Sequence, residues 1–582
     1  MRYHEKMKKT ILYISFVGAA ALFIAYGYKN KRLAKKFINI ISTIEVKNTI
    51  LKNTSEPVLA TFSFNIEEKN RITDSILHYS VKLYNTNKWD KKKAEFAQIA
   101  DGVPILITIE TWGANILSSY LNNPLEEVLT GKFDERIQQL CKELIKNRQN
   151  VYIRFNPEIE VPVTLYPWQY RGWSEYIKAF RYFTKLCKIH APQTKQVWGP
   201  AGYPGTMEYY PGDDAVDAIS VTLKSDSEMP LDAYPKNYPV EYDLFRRIHR
   251  LRFTDKPILI LGSQNNSNDS VDQQLITNLT QLISSERDVV YSEENYRRHE
   301  LKVLNDWTEE LEIGFYDPQS RLINEQAVTV EHLFADFGNL HNGTFHKSFN
   351  DAVKREHNVI VTFEPFRNPD GKTDLQVLQQ VSEGMYDKEI SQLYSIILST
   401  GRKVYLRYAH EMEIPITRYP WQSQNPITYI KSFRYFMNFK DSLPQNLKRV
   451  WGPAGDRGSL EWWPGNDVVD FVSIAIYGLP DKNITDPEKQ ESFETIFNRK
   501  YWRFRFVDKP FFITEFGVKG PEDYQTKWLE VAAKVIRKNS QIKGINYFNM
   551  SDTPLAWGEI KPPDWSITKE SFHRFLEVLN EE

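Results

Sequence analysis

Hydrophobic positions fall along this chain in short, nearly unbroken runs rather than in strict alternation. The second half holds eight of them: EIGFYD (312–317), HLFADFG (332–338), NVIVTFEPF (358–366), KVYLRYAHE (403–411), RVWGPAG (449–455), FVSIAIYG (471–478), PFFITEFG (510–517) and INYFNM (545–550). Stretches with helical spacing of apolar residues separate most of them, such as KEISQLYSIILSTG (388–401) and YQTKWLEVAAKVIRKN (524–539). Apolar strands alternating with helices are what a parallel sheet covered by helices requires. Eight such units in about 260 residues predict a (β/α)8 barrel. The earlier half fits the same plan from PVLATFSFN (57–65) to DVVYS (288–292), with NYRRHELKVLNDW (295–307) as its closing helix.

One run is of a different kind. TILYISFVGAAALFIAYGY (10–28) is apolar, uncharged and flanked by basic residues. About 20 such residues cross a bilayer core. No small-residue cleavage site precedes the next basic cluster, so the segment is expected to be an uncleaved membrane anchor. It follows a short tail (1–9) and leads into a Lys- and Asn-rich stalk (29–54). Four Lys or Arg precede it and five follow, so the positive-inside rule leaves the orientation open.

The chain also repeats itself. NVYIRFNPEIEVPVTLYPWQ starts at Asn150 and KVYLRYAHEMEIPITRYPWQ at Lys403. Arg154 matches Arg407, Glu158 matches Glu411, Trp168 matches Trp421, and VWGPAG at 197 matches VWGPAG at 450, always 253 residues apart. Over 151–173 against 404–426, 11 of 23 positions are identical. Periods this long indicate duplicated domains rather than solenoid repeats. The expected fold class is therefore α/β: two tandem (β/α)8 TIM barrels, residues 55–309 and 310–582, preceded by one transmembrane helix.

Composition narrows the function. Lys and Arg number 74 against 75 Asp and Glu, which argues against a nucleic-acid binder. The apolar fraction of 41% suffices for large cores, and the aromatic 14% suits either a core or sugar stacking. The only two cysteines, Cys141 and Cys187, lie in helix-like stretches with neither metal spacing nor a disulfide framework. No metal or organic cofactor is expected.

Barrel chemistry gathers where strands end. The second half puts carboxylates there three times: Glu364 after strand three, Glu411 after strand four and Glu515 after strand seven. Two carboxyl groups facing each other across a groove are what glycoside hydrolysis needs. The plainer alternative is that such glutamates hold loops through ion pairs. Arg407, four residues before Glu411, is expected to point inward and hold a carboxylate ionised. His410 binds substrate, orients a carboxylate or is a satisfied structural histidine, and Tyr477 is placed to donate to Glu515. HEMEI is not a zinc motif, because Ile414 stands where a second His is needed.

RYAHE at the end of strand four, a Tyr ending strand six and ITEFG at strand seven resemble glycoside hydrolase family 26. The resemblance spans roughly residues 57–582, with the full motif set only in the second half. It implies a retaining β-glycanase on a (β/α)8 barrel, in a family with β-mannanases, mixed-linkage β-glucanases and β-1,3-xylanases. By position it implies that Glu411 is the acid/base and Glu515 the nucleophile. His410 and Tyr477 then line the cleaving subsite and Trp557 looks like its sugar platform; Arg407, Glu364 and Trp421, from their own positions in the sequence, are expected to complete the substrate-binding set. Retention implies carboxyl groups roughly 5–5.5 Å apart. The chain departs from the mannanase pattern after His-Glu, where Met412, Glu413, Ile414 and Pro415 replace a small Asn-Gly turn and an early Trp. Mannan is then only a default substrate.

The first copy reads as disarmed. Pro157 stands for His410, Lys224 for Tyr477 and Gly262 for Glu515, while Glu158 survives. Without a nucleophile no glycosyl-enzyme forms. This half either binds glycan, with Trp168, Tyr170 and Trp173 as possible platforms, or only packs. The expected function is a membrane-anchored glycoside hydrolase with extracytoplasmic barrels, acting on a polysaccharide substrate and possibly alongside polysaccharide-synthesis machinery. The alternative is a non-catalytic glycan-binding or polysaccharide-assembly protein.

Overall fold

The computed structural model describes residues 58–62, 64, 76–83, 104–112, 121–144, 150–161, 166–169, 171–223, 240–262, 269–291, 310–367, 374–415, 418–478, 491–552 and 562–581. The expected tail, anchor (10–28), stalk, closing helix (295–307) and domain boundary near 309 lie outside these residues. Among the described residues, no helix is long and apolar enough to cross a membrane. The chain divides into two compact units: Met1–Tyr203 with Tyr209–Arg247 and Lys256–Thr277, and Pro204–Glu208 with Ile248–Asp255 and Asn278–Glu582.

In the first unit seven strands form one sheet: β1 (Val58–Phe62), β2 (Leu77–Leu83), β3 (Ile105–Thr111), β4 (Val151–Phe155), β5 (Lys195–Trp198), β6 (Ala218–Thr222) and β7 (Ile258–Leu261). Their order is β1-β7-β6-β5-β4-β3-β2. Strands β2 to β7 run parallel. β1 instead runs antiparallel to β7, with Val58 opposite Leu261 and Phe62 opposite Ile258. The expected closed barrel is corrected here to an open sheet among the described residues. DVVYS, expected as an eighth strand, forms a helical turn at Arg287–Val290. β1 takes the edge of β7 that an eighth parallel strand would need, and its reversed direction does not continue the ring. Cys141 and Cys187, on helices Asp134–Leu144 and Trp173–His190, are buried free thiols with Sγ atoms 3.0 Å apart.

In the second unit β8 (Glu312–Tyr316), β9 (Val330–Asp336), β10 (Asn358–Glu364), β11 (Val404–Tyr408), β12 (Leu447–Trp451), β13 (Phe471–Gly478), β14 (Phe511–Val518) and β15 (Ile542–Phe548) close into a barrel. Every neighbouring pair is parallel. This is the eight-stranded ring that the apolar runs predicted. The runs are nearly continuous because both faces are covered. On β10, Phe363 faces outward onto Phe337 and Phe436, while Ile360, Thr362 and Glu364 alternate inward.

Inward residues stack in layers. The floor is apolar: Val330, Ile360, Tyr405, Val450, Phe471 and Phe512 form one buried cluster. Each large side chain there stabilises by roughly 1.5–3 kcal/mol. Above it lies a polar layer of His332, Thr362, Arg407, Ser473, Thr514 and Asn546. Burying such groups is tolerable only if they pair, and nearly all do, the Asn546 Oδ1 excepted among the described residues. His332 Nε2 meets Thr362 Oγ1 at 2.7 Å, Arg407 Nε donates to the same oxygen at 2.8 Å, and Asn546 Nδ2 donates to the Thr514 carbonyl at 3.0 Å. The third layer opens at the barrel mouth.

Candidate active site

Arg407 is the post around which the mouth is built. It is 1% exposed, and its Nη1 donates to Thr514 Oγ1 at 2.8 Å. Its Nη2 forms an ion pair with Glu515 Oε1. Strict alternation along β14 would not aim both Thr514 and Glu515 inward. A bulge does it: Ser473 and Ala475 of β13 face Phe512 and Glu515, so β14 carries one residue more over that step. Tyr477 donates its hydroxyl to Glu515 Oε2 at 3.0 Å. Glu515 thus faces a guanidinium and a phenol, both donating to its carboxyl oxygens.

Glu411 reaches the site differently. β11 ends at Tyr408, so Glu411 is not carried by strand alternation, as the four-residue spacing from Arg407 suggested. Ala409 and Glu411 both adopt left-handed backbone, φ 45° and 53°. Such conformations cost a non-glycine residue about 1–3 kcal/mol and persist where the surroundings impose them. Here the Ala409 N–H donates to the Phe363 carbonyl at 3.0 Å and the Glu411 N–H to Gly452 at 2.8 Å. The Trp421 indole N–H donates to the His410 carbonyl at 2.7 Å and Gln422 reaches the Glu411 carbonyl at 3.3 Å.

The carboxyl of Glu411 is pushed up to about 8, first by burial, then by the charges of Glu515 and Glu413; Arg407 and Lys500 pull the other way. The side chain is half-buried, so it keeps a route to solvent. The mouth therefore holds two glutamates in opposed environments, one poised to keep a proton and one paired with a cation. That is the pattern that separates an acid from a nucleophile.

His410 is 3% exposed, its imidazole well below its usual value through burial and the charge of Arg407. It stands neutral among Phe334, Tyr419 and Trp421. Its Nδ1 has no hydrogen-bond partner among the described residues. Trp421 is 0% exposed and stacks on Tyr419 at 4.6 Å. It braces the turn from beneath rather than offering a sugar platform, and the half-buried ring is Tyr419. Trp168 is likewise fully buried in the first unit. Trp557, Tyr170 and Lys224 lie outside the described residues. Glu364 ends β10 at the mouth and is buried. Among the described residues no cluster of His, Cys, Asp or Glu is placed to hold a metal ion.

Sequence reasoning missed the residues behind the site. Glu413 Oε1 accepts from the Gly455 N–H at 2.9 Å and Ser459 Oγ at 2.7 Å. Lys500 donates to the carbonyls of Ala454 at 2.6 Å and Ala475 at 2.5 Å. Together they pin the loop after β12. Thr362 and His332 were also missed, although a signal existed. In the first unit His78 Nε2 meets Thr108 Oγ1 at 2.7 Å and Arg154 Nε donates to Thr108 at 2.8 Å, the same network. Those residues sit one position out of the 253-residue register, so a single-offset comparison passed over them. Arg154 Nη1 reaches the hydroxyls of Ser220 and Thr222 at 3.5 and 3.4 Å, and its Nη2 lies 3.5 Å from His78 Nε2, where Arg407 Nη2 instead meets Glu515.

No family model matches the chain. A β-1,3-xylanase of Vibrio sp. is 27% identical over 208 residues, 34% of this chain and 38% of that protein. A β-1,3-xylanase of Alcaligenes sp. is 28% identical over 155 residues, 25% of this chain and 29% of that protein. The chain thus spans well under half the length of these curated relatives. Among solved structures, GH26C from Muricauda sp. aligns at 13% identity and TM-score 0.36 over 48% of this chain and 87% of that one. The catalytic domain of a Bacillus sp. GH26 endo-β-1,4-mannanase aligns at 14% identity and TM-score 0.35 over 47% of this chain and 86% of that one.

Proposed function

We propose that the second unit is a retaining glycoside hydrolase of family-26 type that cleaves a β-linked polysaccharide within the chain. The observation that carries this is the opposed pair at one barrel mouth: Glu515 held by Arg407 and Tyr477, and Glu411 raised to about 8 beside it. Glu411, protonated, donates to the glycosidic oxygen as that bond breaks. Glu515 attacks the anomeric carbon and forms the glycosyl-enzyme. Glu411, now a carboxylate, takes a proton from the water that releases the sugar. Arg407 and Tyr477 hold Glu515 and aim it, and neutral His410 lines the cleaving subsite with Tyr419. The matched relatives favour β-1,3-xylan as the first substrate to try, ahead of mannan and mixed-linkage glucan.

The first unit is read as a degenerate copy of the same ancestral domain. It repeats the His–Thr–Arg network and the left-handed glutamate, Glu158 at φ 61°, but has Gly262 in place of a nucleophile. Anchoring through residues 10–28, barrels outside the cytoplasm and work beside polysaccharide-synthesis machinery remain part of this proposal and rest on the sequence of that segment.

The test is turnover by the full chain. Glu515→Ala is expected to lower kcat on the best β-glycan by at least about 10³-fold. Added azide should partly restore turnover and yield a glycosyl azide of inverted configuration. A parent chain inactive on β-1,3-xylan, mannan and mixed-linkage glucan alike would contradict the reading, as would a fully active Glu515→Ala.

A further inference from the structure

Both units place a glutamate at the same point of their sheets, and they treat it in opposite ways. In the first unit β2 and β3 pair Ser80 with Thr108 and Lys82 with Glu110. In the second, β9 and β10 pair Phe334 with Thr362 and Asp336 with Glu364. The two strand registers correspond residue for residue, 254 positions apart, so their differences can be read off directly.

Glu110 is satisfied within the protein. It accepts from the Trp112 indole at 2.8 Å and from Ser80 Oγ at 3.4 Å, with Lys82 opposite it on the neighbouring strand. In the second unit all three supports are gone. Phe334 replaces Ser80, Phe366 replaces Trp112, and Asp336 replaces Lys82. Two donors have become hydrocarbon and a cation has become an acid.

Glu364 is nonetheless buried, at 8% exposure, and its carboxyl accepts no hydrogen bond from the described residues. A buried polar group left without partners is destabilising. Glu364 ends β10 at the barrel mouth, within electrostatic reach of Glu515 and Arg407. Around it stand the charges of Arg407, Asp336, Glu515 and Arg367 and the phenols of Tyr316 and Tyr419. Burial, with Asp336 and Glu515, outweighs the two arginines and pushes Glu364 up to about 8.

We propose that Glu364 is a specificity-determining residue of the second unit, its carboxyl exchanging hydrogen bonds with a ring hydroxyl of the sugar bound between Glu411 and Glu515. This rests on the glycoside hydrolase reading above. As an acid it offers one donor and one acceptor, so a single hydroxyl at the right ring position satisfies it. A sugar with that hydroxyl inverted or missing leaves the carboxyl stranded. Sites built this way discriminate far more sharply than apolar pockets. Phe334 and Phe366 take part by withholding any competing donor.

The test compares kcat/KM of the full chain on xylo-, gluco- and manno-configured aryl β-oligosaccharides. Glu364→Ala should lower kcat/KM on the preferred sugar about 10–100-fold and flatten the preference among the three by a similar factor. Glu364→Gln, which keeps one donor and one acceptor, should hold the preference within about threefold of the parent. The double variant Phe334→Ser, Phe366→Trp rebuilds the donors of the first unit and should flatten the preference with Glu364 still in place. An active parent whose preference survives both Glu364→Ala and the double variant overturns this inference alone. A parent that cleaves none of the three overturns the reading beneath it as well.

Discussion

Arg407 earns its burial through three partners on two other strands, Thr362 on β10 and Thr514 and Glu515 on β14, while the Glu411 carboxyl, without such a cation partner, is pushed up to about 8 by burial. That contrast predicts a pH signature. Glu411 must hold its proton to act, so kcat/KM of the full chain should fall as pH rises through about 8. A profile still flat at pH 9.5 would remove Glu411 as the acid. Stability should move the same way. Glu411 and Glu364 bind protons more tightly in the folded chain than at the ordinary carboxylate value of 4.5. The stability they contribute is complete below that value and is lost as pH rises toward about 8. The urea midpoint should accordingly be lower at pH 8 than at pH 5.5, with a smaller difference in Glu364→Gln. A larger difference in that variant would reverse the sign argued here. Glu364, Glu411, Glu515 and Arg407 were legible as residues because three carboxylates recur at strand ends of one barrel, where chemistry gathers, with an arginine four residues before one of them. Their partners were not, since Thr362, His332 and Lys500 are commonplace residues whose importance lies only in what they touch.

Elements explain how the side chains arrive. Eight apolar runs foretold the eight strands of the second unit, because a strand covered on both faces has no polar alternation to disguise it. The same reading failed at DVVYS, where a short apolar run does not distinguish a strand from a helical turn, and it could not foresee the reversed β1. The turn after β11 was equally hidden: Ala409 and Glu411 carry no glycine signal, and packing against Gly452 and Trp421 imposes their conformation. Gly452 has its own reason. A Cβ there would lie 2.5 Å from Arg407 Cδ, just as one at Gly199 would lie 2.7 Å from Arg154 Cδ. Gly452→Ala should therefore cost about 1–3 kcal/mol of overpacking, read as a lower urea midpoint, and should depress kcat by shifting Arg407 against Glu515. Unchanged stability and turnover would mean that Arg407 is not fixed from that side.

At the scale of the whole molecule, two units share a local architecture and divide the chemistry unequally. Both keep the left-handed glutamate and the arginine beneath it, and Gly262 stands in the first where Glu515 stands in the second. The full chain offers a clean comparison. Glu411→Ala should lower turnover about 10²–10⁴-fold, whereas Glu158→Ala should leave it within about twofold, because Gly262 already denies the first unit a nucleophile. A loss of turnover in a folded Glu158→Ala chain would assign catalysis to the wrong unit.

The most direct measurement is the configuration of the newly formed reducing end, followed by proton NMR during the first minutes of hydrolysis by the full chain. Double displacement through Glu515 predicts that the β anomer appears first and the α anomer only later by mutarotation. Initial release of the α anomer would contradict the mechanism, placing a water rather than Glu515 against the anomeric carbon.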